Sequence, residues 1–283
     1  MTILDLKRKF KQELNALYSE QEGAQLFQIF AKEIIGFDSY HLRRFQNQQV
    51  LLQDLEEFNQ VIEKLLTGTP YQQVLGFTEF YGYRFEVNSH VLIPRPETEE
   101  LIELALAELD DHPNLPQNSS LLDIGTGSGI IPIVIKRKRP LLNALGIDIS
   151  LEALEIAQKN AKKLEVDVEF SQLDILRQEP PKSFEIIISN PPYIGIDEEN
   201  DILDSVKKFE PHKALFSPTS DPLLFYRRIA ELCGTYLKPG GLLILEINQK
   251  LGVETRDLYS DVLKNVKLLQ DLSGNDRFVI GTK

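Results

Sequence analysis

The chain has 283 residues, 42% of them hydrophobic, and carries 31 basic against 43 acidic side chains for a net charge of -12. This is ordinary globular composition, long enough for one large domain or a small one plus a medium one. The acidic balance opposes the phosphate neutralisation that drives duplex binding, so a protein partner is favoured over nucleic acid.

Residues 1–67 are predicted to be helical. Ile3, Leu6, Phe10, Leu14 and Leu17 recur at spacings of three and four, which sets them on one helical face. Leu26, Phe27, Phe30, Ala31, Ile34 and Ile35 repeat the pattern before Gly36. Asp38 and Ser39 can cap a third short helix, and a fourth runs from about Val50 through Leu66 to Gly68 and Pro70. These four make a small bundle over 1–70. The stretch FTEFYGYRFEV (77–87) reads as a hairpin inside a linker over 71–95. Pro94 and Pro96 then forbid a continuous helix or central strand, and a helix is predicted from near Thr98 to Leu109. A polar loop over 111–120 follows.

From Leu121 onward, strands at 121–124, 143–148, 167–171, 184–189, 241–247, 265–270 and 277–281 alternate with helices at 128–138, 150–164, 221–236 and 250–258. Such alternation predicts an α/β domain over 96–283 with a mostly parallel sheet and helices on both faces.

The first chemical motif is LLDIGTGSGI (121–130), an apolar strand running into Gly125, Gly127 and Gly129 and then a helix. Glycines here let the backbone approach a ligand, and the helix start behind them offers free N–H groups. A dinucleotide site uses the same turn, so the motif alone does not choose the ligand. Asp123, just before the glycines, would repel a pyrophosphate and attract the cationic amino acid end of S-adenosylmethionine. Asp148, ending the next strand, can accept the hydroxyls of a ribose. Asp174 can accept from an adenine amino group, with Ile175 packed on the ring.

The second motif is FEIIISNPPYIG (184–195), a buried strand running into Asn190, Pro191, Pro192 and Tyr193. The Asn190 side-chain oxygen and the Pro191 carbonyl are two acceptors on a stiff loop, matched to a planar NH2 group. Tyr193 offers a flat face for stacking. Together they can hold a poorly nucleophilic amide nitrogen in line with a sulfonium methyl.

IPRPETEEL, LLDIGTGSG, GIDIS, SNPPYI, FEPHKALF and DLSGNDRFV together resemble the release-factor glutamine N5-methyltransferases, over about Pro70 to Val279. The resemblance implies a Rossmann-like methyltransferase domain acting on the glutamine of the Gly-Gly-Gln loop of class 1 peptide chain release factors. By it, Gly125, Thr126, Gly127, Ser128 and Gly129 contact S-adenosyl-L-methionine, Asp148 holds its ribose, and S-adenosyl-L-homocysteine is the product. Asn190, Pro191, Pro192 and Tyr193 hold the target glutamine, with Asn190 also beside the donor. Pro94 to Thr98 line the donor pocket. The family often reads Glu-Ile-Gly where this chain has Glu246, Ile247 and Asn248, which leaves Asn248 without an assigned part.

Base N-methyltransferases share NPPY, so a DNA or rRNA exocyclic-amine methyltransferase is the rival reading. Base flipping favours a basic face, yet residues 1–75 hold 8 basic and 10 acidic side chains. The bundle is instead expected to dock the release factor. KRKRP (136–140) is one candidate for a local basic patch, read as a solvated helix end. His41, His90, His112 and His212 lack ligand spacing, so no metal is expected. Cys233 lies in an apolar stretch as a single thiol, and the charged N-terminus has no signal-like apolar core. A cytoplasmic monomer with no membrane segment is expected.

Overall fold

The computed structural model describes residues 1–112, 115–194 and 208–283. Residues 113–114 of the predicted polar loop and Gly195 at the end of the NPPYIG string lie outside them. The chain divides into two compact units, Met1–Gly76 and Phe77–Lys283.

The first unit contains α1 (Ile3–Leu14), α2 (Glu20–Ile34), α3 (Ser39–Arg44), α4 (Leu52–Leu66) and α5 (Tyr71–Leu75). Capping boxes start α1 at Thr2 with Asp5 and α2 at Ser19 with Glu22, each satisfying two orphan N–H groups. The predicted apolar faces meet, except at Leu17, which lies beyond α1 and is exposed. Phe10, Phe27 and Phe58 are fully buried, with the Phe10 and Phe27 rings edge-on at 5.6 Å and Phe27 stacked on Phe58 at 5.6 Å. Each such ring contributes up to about 3 kcal/mol through burial. Tyr71–Leu75, grouped with the hairpin on sequence, instead form a helical turn. Its Tyr71, Val74 and Leu75 pack on the bundle core, and Gly76 closes it at φ 78°.

The second unit opens with the predicted hairpin, β1 (Phe77–Phe80) and β2 (Tyr83–Glu86). Phe80 and Phe85 are buried in the core of this unit, so the hairpin is part of the α/β unit and not a separate linker. Next come α6 (Pro96–Asp111), β3 (Ser120–Ile124), α7 (Ile130–Lys138), β4 (Asn143–Asp148), α8 (Leu151–Lys163), β5 (Glu169–Gln172) and β6 (Phe184–Ser189). Among the described residues there follow α9 (His212–Leu215), α10 (Leu224–Tyr236), β7 (Leu237–Glu246), α11 (Gly252–Asp257), β8 (Lys264–Gln270) and β9 (Asp276–Thr282).

Helix α6 starts at Pro96, two residues before the predicted start, because proline is tolerated where the first N–H has no intrahelical partner. Strand β7 starts earlier than predicted, since Leu237 pairs with Phe184 ahead of a register shift. The helix predicted over 250–258 is split into a 3-10 turn, Gln249–Leu251, and α11.

The seven strands lie in the order β5-β4-β3-β6-β7-β9-β8, parallel from β5 to β7, with β9 antiparallel to β7 and to β8. Successive residues of the central strands feed opposite faces. Leu121, Ile186, Leu242 and Ile244 join one core, and Leu122, Ile187, Leu243 and Leu245 the other. Burial on both sides explains the continuous apolar runs. Chain order reverses between β3 and β6, and the C-terminal edge at such a point is where ligands bind in open α/β sheets.

Candidate active site

Both sequence motifs meet at that switch point. Ile124 at the end of β3 pairs with Ser189 at the end of β6, and the Ser189 hydroxyl donates to the Ile124 carbonyl at 2.7 Å. The glycine turn after β3 and the Asn-Pro-Pro-Tyr corner after β6 therefore leave the sheet side by side.

In the turn, Gly125, Gly127 and Gly129 all have positive φ, at 74°, 53° and 79°. A Cβ added at Gly125 or Gly127 would meet nothing within 4 Å, so that backbone borders open space. A Cβ at Gly129 would lie 2.9 Å from Ala157 Cβ, so this glycine permits close packing of the turn on α8. Gly146 in β4 makes room for Thr126, whose Oγ1 would lie 2.6 Å from a Cβ there.

Asp123 is fully buried, and neither carboxyl oxygen has a hydrogen-bond partner; nor has the buried Thr126 hydroxyl. Burial pushes the Asp123 carboxyl up to about 7. The Thr126 hydroxyl opposes this from beyond good bonding geometry, and the Asp148 charge adds to it. Buried polar groups in folded proteins nearly always find partners.

Asp148 ends β4. Its Oδ2 accepts from the Gly127 N–H at 2.9 Å and its Oδ1 from the Ser150 N–H at 2.9 Å, so each oxygen keeps capacity for a further donor. Burial raises its pKa, and the N–H bonds from Ser150 and Gly127 oppose the rise. Asp174 closes a turn by accepting from the Leu176 N–H at 3.1 Å and lies 3.5 Å from Arg177 Nε. Ile175 is buried in the core on its side of the sheet, and Ser128 is buried with its carbonyl held by Asn160.

At the corner, Pro191 is buried, while Asn190, Pro192 and Tyr193 are half-buried. Asn190 Nδ2 donates to Thr98 Oγ1 at 3.2 Å, and the Thr98 hydroxyl donates to Glu246 Oε2 at 2.8 Å. Thr98 is 3% exposed and Glu246 1%. Burial pushes the Glu246 carboxyl up to about 7, against the Thr98 bond and the Arg277 charge. The Tyr193 phenol is pushed up to about 12, first by burial and then by Glu246, so it stays neutral. Asn248 reads as a tie for the corner, because its Nδ2 donates to the Tyr193 carbonyl at 3.3 Å and its N–H to the Tyr226 hydroxyl at 3.1 Å.

Sequence reasoning placed Thr98 only at a helix start in a segment lining the donor pocket and Glu246 and Glu210 only inside quoted motifs, with no link to Asn190, and it did not mention Asn160. Asn160 on α8 is fully buried, bonded to both backbone groups of Glu86 and to the Ser128 carbonyl, and so ties the hairpin to the glycine turn. Glu210 accepts from the Ile93 N–H at 3.1 Å and from Arg95 at 2.7 Å, fastening the segment before α6. The motifs IPRPETEEL and FEPHKALF and the buried-strand glutamate ending LLILE were the available signals. KRKRP forms a partly solvated helix end with Arg137 and Lys138 exposed; Lys136 donates to the Leu142 carbonyl, Arg137 lies over Tyr83 at 5.0 Å, Lys138 over Tyr81 at 5.1 Å, and Arg139 pairs with Asp110. Cys233 is buried and its thiol pushed up to about 12 by burial. Among the described residues no cluster could hold a metal ion, and no helix is long and apolar enough to cross a membrane.

A family model described as the methyltransferase small domain matches residues 103–207. A methyltransferase structure from Pyrococcus furiosus shares the fold with a TM-score of 0.52 at 16% identity, covering 78% of this chain and 96% of that one. The release factor glutamine methyltransferase of Flavobacterium psychrophilum is 40% identical over 281 residues, 99% of this chain and 98% of the relative. That of Bacteroides thetaiotaomicron is 36% identical over 278 residues, 96% of this chain and 97% of the relative. With identity at this level running the length of both chains, and the site built at the switch point of the shared fold, this protein belongs to the release factor glutamine methyltransferase family.

Proposed function

We propose that this chain transfers a methyl group from S-adenosyl-L-methionine to the side-chain amide nitrogen of the glutamine in the Gly-Gly-Gln loop of a class 1 release factor. The observation that carries this is the β3–β6 register, which sets a glycine turn bordering open space beside a rigid corner with two acceptors. When bound, the donor supplies a methyl carried on a sulfonium sulfur.

The residues of the turn fit such a donor. The orphaned Asp123 carboxylate and Thr126 hydroxyl await a cationic, hydrogen-bonding group, which the amino acid end of the donor provides. Gly125, Thr126, Gly127, Ser128 and Gly129 would pass along it. Asp148 would take the ribose hydroxyls on its remaining lone pairs, and Asp174 and Ile175 would take the adenine.

On the acceptor side, Asn190 Oδ1 and the Pro191 carbonyl would each receive one hydrogen of the glutamine amide, with Pro192 holding the loop stiff and Tyr193 stacking on the amide plane. An amide lone pair is delocalised, so orientation matters more than basicity. Holding both hydrogens aims the nitrogen, and the two oxygens favour the positive charge that grows on it. Substitution of Asn190 by alanine should remove turnover and weaken donor binding far less, since Asn190 also lies beside the donor.

The helical unit is assigned the docking of the release factor. Its exposed Leu51 and Leu52, 63% and 80% accessible, are the side chains to test. Charged replacements should raise KM for intact release factor and not for a glutamine peptide. The decisive assay follows labelled methyl into release factor, its Gln→Ala variant, DNA and ribosomal RNA in parallel. Label in release factor alone, lost in the variant, is expected. Label in nucleic acid and not in release factor would favour the base-methylating rival.

A further inference from the structure

Three distant parts of the chain converge behind the corner: Thr98 from the first turn of α6, Asn190 from the end of β6 and Glu246 from the end of β7. A hydroxyl has one hydrogen to give. An ionised carboxylate can only accept, so the Thr98 hydrogen is committed to Glu246 at 2.8 Å. The Thr98 oxygen then presents only lone pairs to Asn190, 3.2 Å away. A carboxamide has two faces of opposite character, and only its NH2 face satisfies those lone pairs. The oxygen face is left toward the opposite side of the side chain.

We propose that Thr98 and Glu246 are positioning residues for methyl transfer, which together hold the Asn190 carboxamide with its oxygen turned to the acceptor amide. This rests on the reading above, in which Asn190 grips that amide. Turned the other way, Asn190 would aim N–H groups at the N–H groups of the glutamine, and the acceptor pair would be lost. Both partners are nearly inaccessible to solvent, so water does not compete for these bonds.

The chain of bonds depends on the charge of Glu246. Protonated, Glu246 can itself donate to Thr98, whose hydrogen is then free to bond the Asn190 oxygen and favour the unproductive face. Burial holds this carboxyl up to about 7, opposed by the Thr98 bond, Arg277 and the Asn190 amide and reinforced by Glu97. Arg277 and Glu97 are the charged groups facing it, together with the neutral phenol of Tyr193 and the Asn190 amide. The active form is the ionised one, so kcat at saturating donor should rise with pH through about 7. Saturating donor keeps Asp123, which would act on donor binding, out of this profile.

The test uses the full-length enzyme with intact release factor. The variants are Thr98→Val, Thr98→Ser, Glu246→Gln and Asn190→Ala, and the readouts are kcat, KM, the pH profile and donor Kd by calorimetry. Thr98→Val and Glu246→Gln should lower kcat by roughly ten- to a hundred-fold, the scale of a misplaced contact, with a much smaller change in donor Kd. Thr98→Ser should restore it, and Glu246→Gln should flatten the acidic limb. Wild-type kcat in Thr98→Val alongside an inactive Asn190→Ala would overturn the relay and leave the amide-gripping reading standing. Wild-type kcat in Asn190→Ala would defeat that reading itself. Should Thr98→Val fail to fold, Glu246→Gln, whose NH2 group can donate to Thr98 as the protonated acid does, carries the test. A retained acidic limb or unchanged kcat in it overturns the proposal. So does loss of donor affinity in step with kcat, without rescue by serine.

Discussion

Substituting alanine at two glycines of one turn separates packing from ligand approach. At Gly129, φ is 79°, a conformation that costs an L-residue about 1–2 kcal/mol. The added Cβ would also sit 2.9 Å from Ala157 Cβ, 3.1 Å from Ile133 Cδ1 and 3.2 Å from Ala157 Cα. Ala157 is fully buried on α8 and cannot step aside, so overpacking adds about 1–3 kcal/mol. The sum is a loss of about 2–5 kcal/mol. At Gly127, φ is 53° and nothing lies within 4 Å of the new methyl, so the strain of about 1–2 kcal/mol stands alone. The methyl would project into the space assigned to the donor. Urea unfolding of the two variants should therefore put Gly129→Ala well below Gly127→Ala in stability. Calorimetric titration with S-adenosyl-L-methionine should show Gly127→Ala binding at least about ten-fold more weakly, the equivalent of 1.4 kcal/mol. Equal destabilisation of the two, or donor affinity preserved in Gly127→Ala, would refute the assignment of this turn.

Asp123→Asn should weaken donor binding and yet stabilise the donor-free protein at neutral pH. A buried carboxyl held up to about 7 binds its proton more tightly folded than unfolded, so stability is lost as pH rises from about 4 through 7. Glu246 and Asp148, both raised by burial, add losses of the same sign, and the variant should retain only their part of the slope in thermal melts taken across this range. An unchanged slope would place the Asp123 proton elsewhere. Asn160→Ala should leave the Glu86 N–H, the Glu86 carbonyl and the Ser128 carbonyl without their partner. A cost of about 3 kcal/mol or more is expected in urea unfolding, and a loss below about 1 kcal/mol would mean that water replaces the side chain.

Much of this protein was legible in one dimension. The period of three and four in Ile3, Leu6, Phe10 and Leu14 located a buried helical face, since helix geometry turns that spacing into a stripe. The apolar runs around Leu122 and Ile187 announced strands covered on both sides. Glycines 125, 127 and 129 marked a turn needing positive φ, and the two prolines after Asn190 marked a stiff corner. All of these signals are local, because backbone preference and side-chain periodicity act over a few residues.

What the tertiary structure alone decided is which local pieces touch. The register of Ile124 against Ser189 brings turn and corner together across 65 residues of chain, and no periodicity encodes a partner at that distance. On sequence, Thr98 was a helix start in a segment lining the donor pocket and Glu246 the end of a strand. Their convergence on Asn190 depends on three elements packing around one point. The direction of the bonds between them depends further on burial, because the charge carried by Glu246 follows from its removal from water. Composition names the acids and amides a chain owns; only packing determines which of them meet, and in which protonation state.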